Sequence, residues 1–251
     1  MPLALLPAAA FGLIIGSFLN VVAHRLPSGR SMVTPGSQCP SCEAPVKPLD
    51  NIPLLSWLAL RGRCRNCYEP IAKRYPLVEA LTAALFVAVV AAHHDSATML
   101  VLGLVLVAFL VPIALIDLDL GIIPNKLTLP AAILAVGLGT ALDPNGEIER
   151  LVAGVAAGAV LALPSLVNPH GIGMGDAKLV AVLGLFLGRA VAPAFFVALV
   201  VGTAVGIGVV VRKGMTEGRR TPIPFGPFLA LGGVVAILAG DELVQLYLDV
   251  F

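Results

Sequence analysis

Apolar residues dominate eight stretches of the chain, near 4–23, 76–92, 97–116, 122–142, 150–167, 177–190, 193–211 and 226–248. A helix needs about 20 consecutive apolar residues to cross the hydrocarbon core of a bilayer. Several stretches reach that length, whereas 122–142 and 177–190 are short or broken by Pro and Gly. Lipid offers no hydrogen bonds to backbone N–H and C=O groups. The stretches are therefore expected to be helices, with irregular backbone only where protein or water covers it. The pattern predicts an all-α polytopic membrane protein with about eight transmembrane helices, and six to nine spans fit it.

Composition strengthens this picture. Of 251 residues, 58% are hydrophobic and only 12% are charged, about half the charged share of a soluble domain. Mean hydropathy is +0.97, which excludes an ordinary soluble protein. The net charge of +1 gives no basis for a nucleic-acid partner. The N-terminal Met1-Pro2-Leu3-Ala4-Leu5-Leu6-Pro7 lacks a basic region, and its apolar run continues through Val22. It reads as a first span rather than a cleaved signal peptide.

The position of the charges sets an orientation. Segment 24–75 holds Arg25, Arg30, Lys47, Arg61, Arg63, Arg65, Lys73 and Arg74, and Arg212, Lys213, Arg219 and Arg220 crowd a later loop. With eight spans these fall on one side, together with Lys126 and Lys178. Only Arg150 and Arg189 lie opposite, beside Asp143, Glu147 and Glu149. Fourteen basic residues against two is a strong positive-inside signal. The N-terminus is expected outside, with the 24–75 loop and the loops near Asp117 and Asp176 facing the cytoplasm.

All four cysteines lie in that first loop, as Cys39-Pro40-Ser41-Cys42 and Cys64-Arg65-Asn66-Cys67. Two C-x-x-C pairs resemble the knuckles of a zinc ribbon, with a spacer slightly longer than usual. Four thiolates complete a tetrahedral structural zinc site with no open position for water. Two disulfides or free thiols are the alternative, although a cytoplasmic loop sits in a reducing compartment. The Pro-rich loop can bury little core unaided, so a metal is a plausible staple. Trp57 and Tyr75 are expected to anchor it at the membrane interface, and its basic surface could meet anionic lipid headgroups.

Two carboxylates stand where apolar segments end. Asp117 ends the third span and is followed by Gly121 and Pro124-Asn125, which should break the helix and leave Asp117 at a water-accessible rim. Asp176 follows Gly171, Gly173 and Gly175 at the expected start of a new helix. An aspartate there can simply cap exposed amides. Taken together on one face, the two suggest an acid–base pair that activates water against an amide. Gly173 and Gly175 would let an extended substrate backbone approach. Asp119 should point away from Asp117. His93 and His94 fall in a short outer loop and look solvated, while His170 could tune Asp176 or be a polar loop residue. Gly154-x-x-x-Gly158 and Gly202-x-x-x-Gly206 read as close helix packing. No Ser-His-Asp set, H-E-x-x-H or P-loop is legible. A transporter using the aspartates as ion-pathway groups, or a scaffold recruiting partners through its loop, are the rival classes.

In order along the chain stand Gly16-Ser17-Phe18-Leu19-Asn20-Val21-Val22 with Arg25-Leu26-Pro27, the two C-x-x-C pairs, and between them Asn51-Ile52-Pro53-Leu54-Leu55-Ser56-Trp57. Arg74-Tyr75-Pro76-Leu77-Val78-Glu79, Asp117 with Pro124-Asn125, Gly173-Met174-Gly175-Asp176 and Pro224-Phe225-Gly226-Pro227 follow. This set, from about residue 12 to 235, resembles the type IV prepilin peptidases, bacterial membrane aspartic proteases of the GxGD type. The resemblance implies that Asp117 and Asp176 are the catalytic pair. It implies cleavage of leader peptides from type IV prepilins or type II secretion pseudopilins, after a glycine at the cytoplasmic border of the inner membrane. It further implies N-methylation of the new N-terminus with S-adenosylmethionine, for which Glu43, Asn51 and Glu79 are polar candidates. The expected organisation is a first helix (1–23), a cytoplasmic zinc-binding loop carrying the four cysteines (24–75) and a transmembrane peptidase domain (76–251).

Overall fold

A computed structural model describes residues 2–167, 173–218 and 220–250. His170, Gly171 and Arg219 lie outside the described residues. Among the described residues ten α-helices carry the fold: α1 (Pro2–Arg25), α2 (Leu55–Ala59), α3 (Arg74–His93), α4 (Ala97–Leu120), α5 (Asn125–Leu142), α6 (Pro144–Val167), α7 (Met174–Leu187), α8 (Val191–Lys213), α9 (Met215–Gly218) and α10 (Gly226–Val250). Among the described residues there is no strand; extended pairing is limited to two isolated bridges, Gln38 with Pro45 and Arg63 with Pro70. The chain divides into two compact units, one ending at Ala92 and the other beginning at His93.

The eight longer helices coincide with the eight apolar stretches. Among the described residues six segments are long and apolar enough to cross a membrane: Ala4–Arg25, Arg74–His93, Ala97–Leu120, Asn125–Leu142, Met174–Lys213 and Gly226–Leu246. The fifth runs through both α7 and α8. α7 has only 14 residues, a length of about 21 Å against a hydrocarbon core of about 30 Å. α6 opens with Glu147, Glu149 and Arg150, so its apolar part is shorter than its helix.

In the first unit α1 packs on α3 through small residues. A Cβ on Gly12 would stand 2.6 Å from the Ala83 Cα, and one on Gly16 would stand 2.8 Å from the Glu79 Cα. The Asn20 side chain, buried in this seam, donates to the Gly16 and Tyr75 carbonyls at 3.3 and 3.2 Å. Between the helices the loop is ordered by polar ties. Arg25 donates to the carbonyls of Ser31, Pro35 and Gly36. Arg65 makes a two-pronged pair with Asp50 at 2.8 and 2.6 Å. Trp57 belongs to this folded loop: its ring covers Gly62 and its Nε1 donates to the Ile71 carbonyl at 3.2 Å. Tyr75 is 45% exposed.

In the second unit α4 supplies the central core residues, with Leu102, Leu106, Leu110, Ile113 and Ile116 fully buried at helical spacing. Gly121, at φ +65°, ends α4 in the left-handed conformation that glycine adopts without strain. Pro124 then precedes α5. The Gly154-x-x-x-Gly158 expectation holds: Cβ atoms there would meet Leu185 and Ala181 of α7 at 2.8 Å. A Cβ on Gly202 would meet the Phe225 and Phe228 rings at 3.2 Å, whereas one on Gly206 would find Ile223 only at 4.0 Å, so only the first glycine of that pair marks a close approach. His93 is not simply solvated, because its Nε2 lies 2.5 Å from the Ile237 carbonyl oxygen. At the α5–α6 corner the buried Arg150 binds Asp143 at 2.9 Å and Glu147 at 3.1 Å, as well as the Gly139 carbonyl at 3.2 Å.

Candidate active site and cysteine cluster

α4 brings Asp117 to its last turn, and α7 brings Asp176 to its first. Both carboxylates line one cavity of about 750 Å³ within the second unit. Phe195, Leu199, Ile223 and Phe225 form an apolar wall of the same cavity. Asp117 is only 5% exposed, so it reaches water through the cavity rather than from an open rim. Its Oδ2 accepts a hydrogen bond at 2.8 Å from the backbone N–H of Gly226, the first residue of α10. Asp119, two residues on, is exposed.

The glycines before Asp176 each have a definite neighbour. A Cβ on Gly173 would meet the Asp176 Oδ2 at 2.9 Å, and one on Gly175 would meet the Ile123 Cβ at 3.1 Å. Gly175 therefore lets the start of α7 pack on the 121–124 link. Lys178 reaches the other side of that link, donating to the Asn125 side chain at 3.0 Å. The Gly-rich motif and the Pro-Asn motif are thus tied directly to one another. Sequence reasoning missed Gly226 as a partner of Asp117. Its only signal was the Pro224-Phe225-Gly226-Pro227 run, whose partner lies 109 residues away.

The four cysteines meet in the first unit. All are free thiols, and their sulfurs lie within 4.8 Å of one another. Cys39 to Cys67 is 3.7 Å and Cys42 to Cys64 is 4.0 Å. A tetrahedron with zinc–sulfur bonds of about 2.3 Å has edges of about 3.8 Å, so the spacing suits a metal.

Two equivalent knuckles build the cluster. In the first, the Cys39 N–H donates to Ala44 and the Glu43 N–H to Cys39; in the second, Cys64 N–H donates to Glu69 and Tyr68 N–H to Cys64. Glu43 and Tyr68 occupy the same step of each turn at φ +56° and +61°. Backbone N–H groups aimed at the sulfurs hold Cys39, Cys42 and Cys64 below the usual thiol range. For Cys67 the Glu69 N–H pulls the same way, but desolvation and the three neighbouring sulfurs prevail and push it up to about 12. Four sulfurs this close favour a shared cation over four separate charges.

Residues 10–93 match the family described as Bacterial Peptidase A24 N-terminal domain, and residues 104–207 match the Type IV leader peptidase family. The chain belongs to the type IV leader peptidase family. It is 39% identical to the prepilin leader peptidase/N-methyltransferase of Aeromonas hydrophila, covering 96% of this chain and 92% of that protein. Identity to the protein of the same name from Stutzerimonas stutzeri is 38%, over 99% of this chain and 95% of the relative. With the Pseudomonas aeruginosa protein it is 36%, over 95% and 91%. No solved structure matches. The family assignment and the six apolar segments together make this a multi-pass membrane protein.

Proposed function

We propose that this protein is a membrane aspartic endopeptidase that removes the leader peptide of type IV prepilins or type II secretion pseudopilins. The cut falls after a glycine at the cytoplasmic membrane border, and the new N-terminus is then methylated from S-adenosylmethionine. The observation that carries the reading is the convergence of Asp117 and Asp176, from separate helices, on one cavity. The names of the relatives supply the substrate class and the second activity.

In this reading the two carboxyl groups hold one proton between them. The ionised member takes a proton from water as the water oxygen bonds to the scissile carbonyl carbon. The protonated member hydrogen-bonds the carbonyl oxygen. When the C–N bond breaks, a proton passes to the leaving amine. Gly173, beside Asp176, leaves room for an extended substrate backbone. The apolar wall suits a peptide whose cut lies next to a hydrophobic helix.

Cys39, Cys42, Cys64 and Cys67 are assigned to one structural zinc ion, which would hold the two knuckles together. The loop at 24–75 and the peptidase domain at 76–251 are assigned to this division of labour, with the N-terminus outside and both loop and cavity on the cytoplasmic side. The purified protein incubated with a prepilin in detergent tests the proteolytic reading against a transporter or scaffold. Loss of the leader is the expected result, and an intact substrate would contradict it. Omitting S-adenosylmethionine is expected to leave cleavage in place and abolish the methyl group.

A further inference from the structure

The start of α10 contributes a part to the aspartate site that its sequence does not announce. A helix leaves its first N–H groups without intrahelical partners. In α10 those donors are few. Pro227, at the second position, has no N–H. The Phe228 and Leu229 N–H groups turn back to the Phe225 carbonyl at 3.0 and 3.1 Å. The Gly226 N–H is left, and it donates to Asp117 Oδ2 at 2.8 Å in a buried setting. The residue must also be small: a Cβ at this position would sit 2.7 Å from that oxygen and 3.0 Å from the carboxyl carbon.

We infer that Gly226 is a positioning residue for Asp117, and that Pro227, which has no N–H, leaves it the one first-turn donor aimed at the carboxylate. The bond occupies Oδ2 and fixes the plane of the carboxyl group, leaving Oδ1 as the oxygen that works on water. A single donor matters, because a second N–H could turn the group and engage the working oxygen. Among the described residues Asp176 has no corresponding backbone tether on its carboxylate, so the pair is built with one member held and one free. This assignment rests on the proteolytic reading above.

Gly226→Ala tests it. The added methyl group has to displace the carboxylate, and a misplacement of about 1 Å in a reacting group costs roughly 100-fold in rate. The expected result is a fall in kcat for prepilin cleavage of about 100-fold, with KM within about twofold, since substrate binding surfaces are untouched. Gly206→Ala, whose added methyl would find its nearest neighbour at 4.0 Å, serves as the control and should cleave at the wild-type rate. A Gly226→Ala enzyme with kcat within threefold of wild type would overturn the inference, as would a change carried mainly by KM.

A second measurement leaves Gly226 intact. Hydrogen exchange at the Gly226 amide, read by NMR on protein labelled with ¹⁵N-glycine, should be slow in the wild type and at least about tenfold faster in Asp117→Ala, as expected when a buried amide loses its acceptor. Equal exchange in the two proteins would refute the tether. If wild-type protein fails to cleave any prepilin, the proteolytic reading falls, while the exchange result still decides whether Gly226 holds Asp117.

Discussion

Glu79 holds a turn that the backbone alone disfavours. Leu54 has φ +62° and ψ −50°, and the Leu55 N–H reaches back to the Pro53 carbonyl at 2.6 Å. That is a γ-turn of the rare, strained hand, costing on the order of 1–3 kcal/mol. The buried Glu79 accepts the Leu54 N–H at 2.7 Å, and a hydrogen bond to a charged group contributes about 1.5–3 kcal/mol. The two magnitudes are comparable, so the turn persists because Glu79 is there. Glu79→Ala is expected to lose exchange protection at the Leu54 amide and about 1–3 kcal/mol of stability; unchanged protection would show the turn stands without it. The sequence displays Glu79 and the Asn51–Trp57 run as separate motifs. Their bond joins residues 25 positions apart, and neither periodicity nor spacing reveals it. The same holds for Gly226 and Asp117, whereas the aspartates themselves stood out because a carboxylate beside apolar sequence needs a reason.

At the scale of elements, the two knuckles and the α5–α6 corner are the parts most open to test. Cys39→Ser combined with Cys64→Ser removes one sulfur from each knuckle, and elemental analysis should find zinc in the purified wild type and none in the double variant. Zinc-free wild type would contradict the structural-metal assignment. Two C-x-x-C pairs were legible as metal knuckles. Their repeated turn, with Glu43 and Tyr68 at matching left-handed positions, was not, because neither residue is a glycine.

The corner shows a different limit of sequence reading. Arg150, Asp143 and Glu147 look like residual charges flanking a span, yet they form one network around the buried guanidinium, with Glu147 buried beside it and Asp143 at its more exposed edge. Arg150→Met should cost about 3–5 kcal/mol, because Glu147 is left buried without its partner; thermal unfolding in detergent reads this, and an unchanged midpoint would contradict it. Hydrogen bonding from Arg150, reinforced by the Gly146 N–H, holds the Asp143 carboxyl below its usual range. A depressed carboxylate adds stability above its unfolded value of about 3.9 and loses it as pH falls through the lower folded value. The Gly146 amide should therefore exchange faster only in strongly acidic solution.

For the molecule as a whole, hydropathy located the long helices and the charge pattern proposed their orientation. What it left open was how many of them cross, since α7 is short and runs on into α8. The two compact units divide the chemistry: the cysteine cluster lies in one and the aspartate cavity in the other. The central claim is that Asp117 and Asp176 together cleave a prepilin leader. Mass spectrometry of a prepilin incubated with wild type, Asp117→Asn or Asp176→Asn enzyme and S-adenosylmethionine tests it most directly. Wild type should yield a product cut after glycine and carrying one methyl group, while each variant, inserted normally in the membrane, leaves the leader attached. Leader loss in either variant would contradict the account.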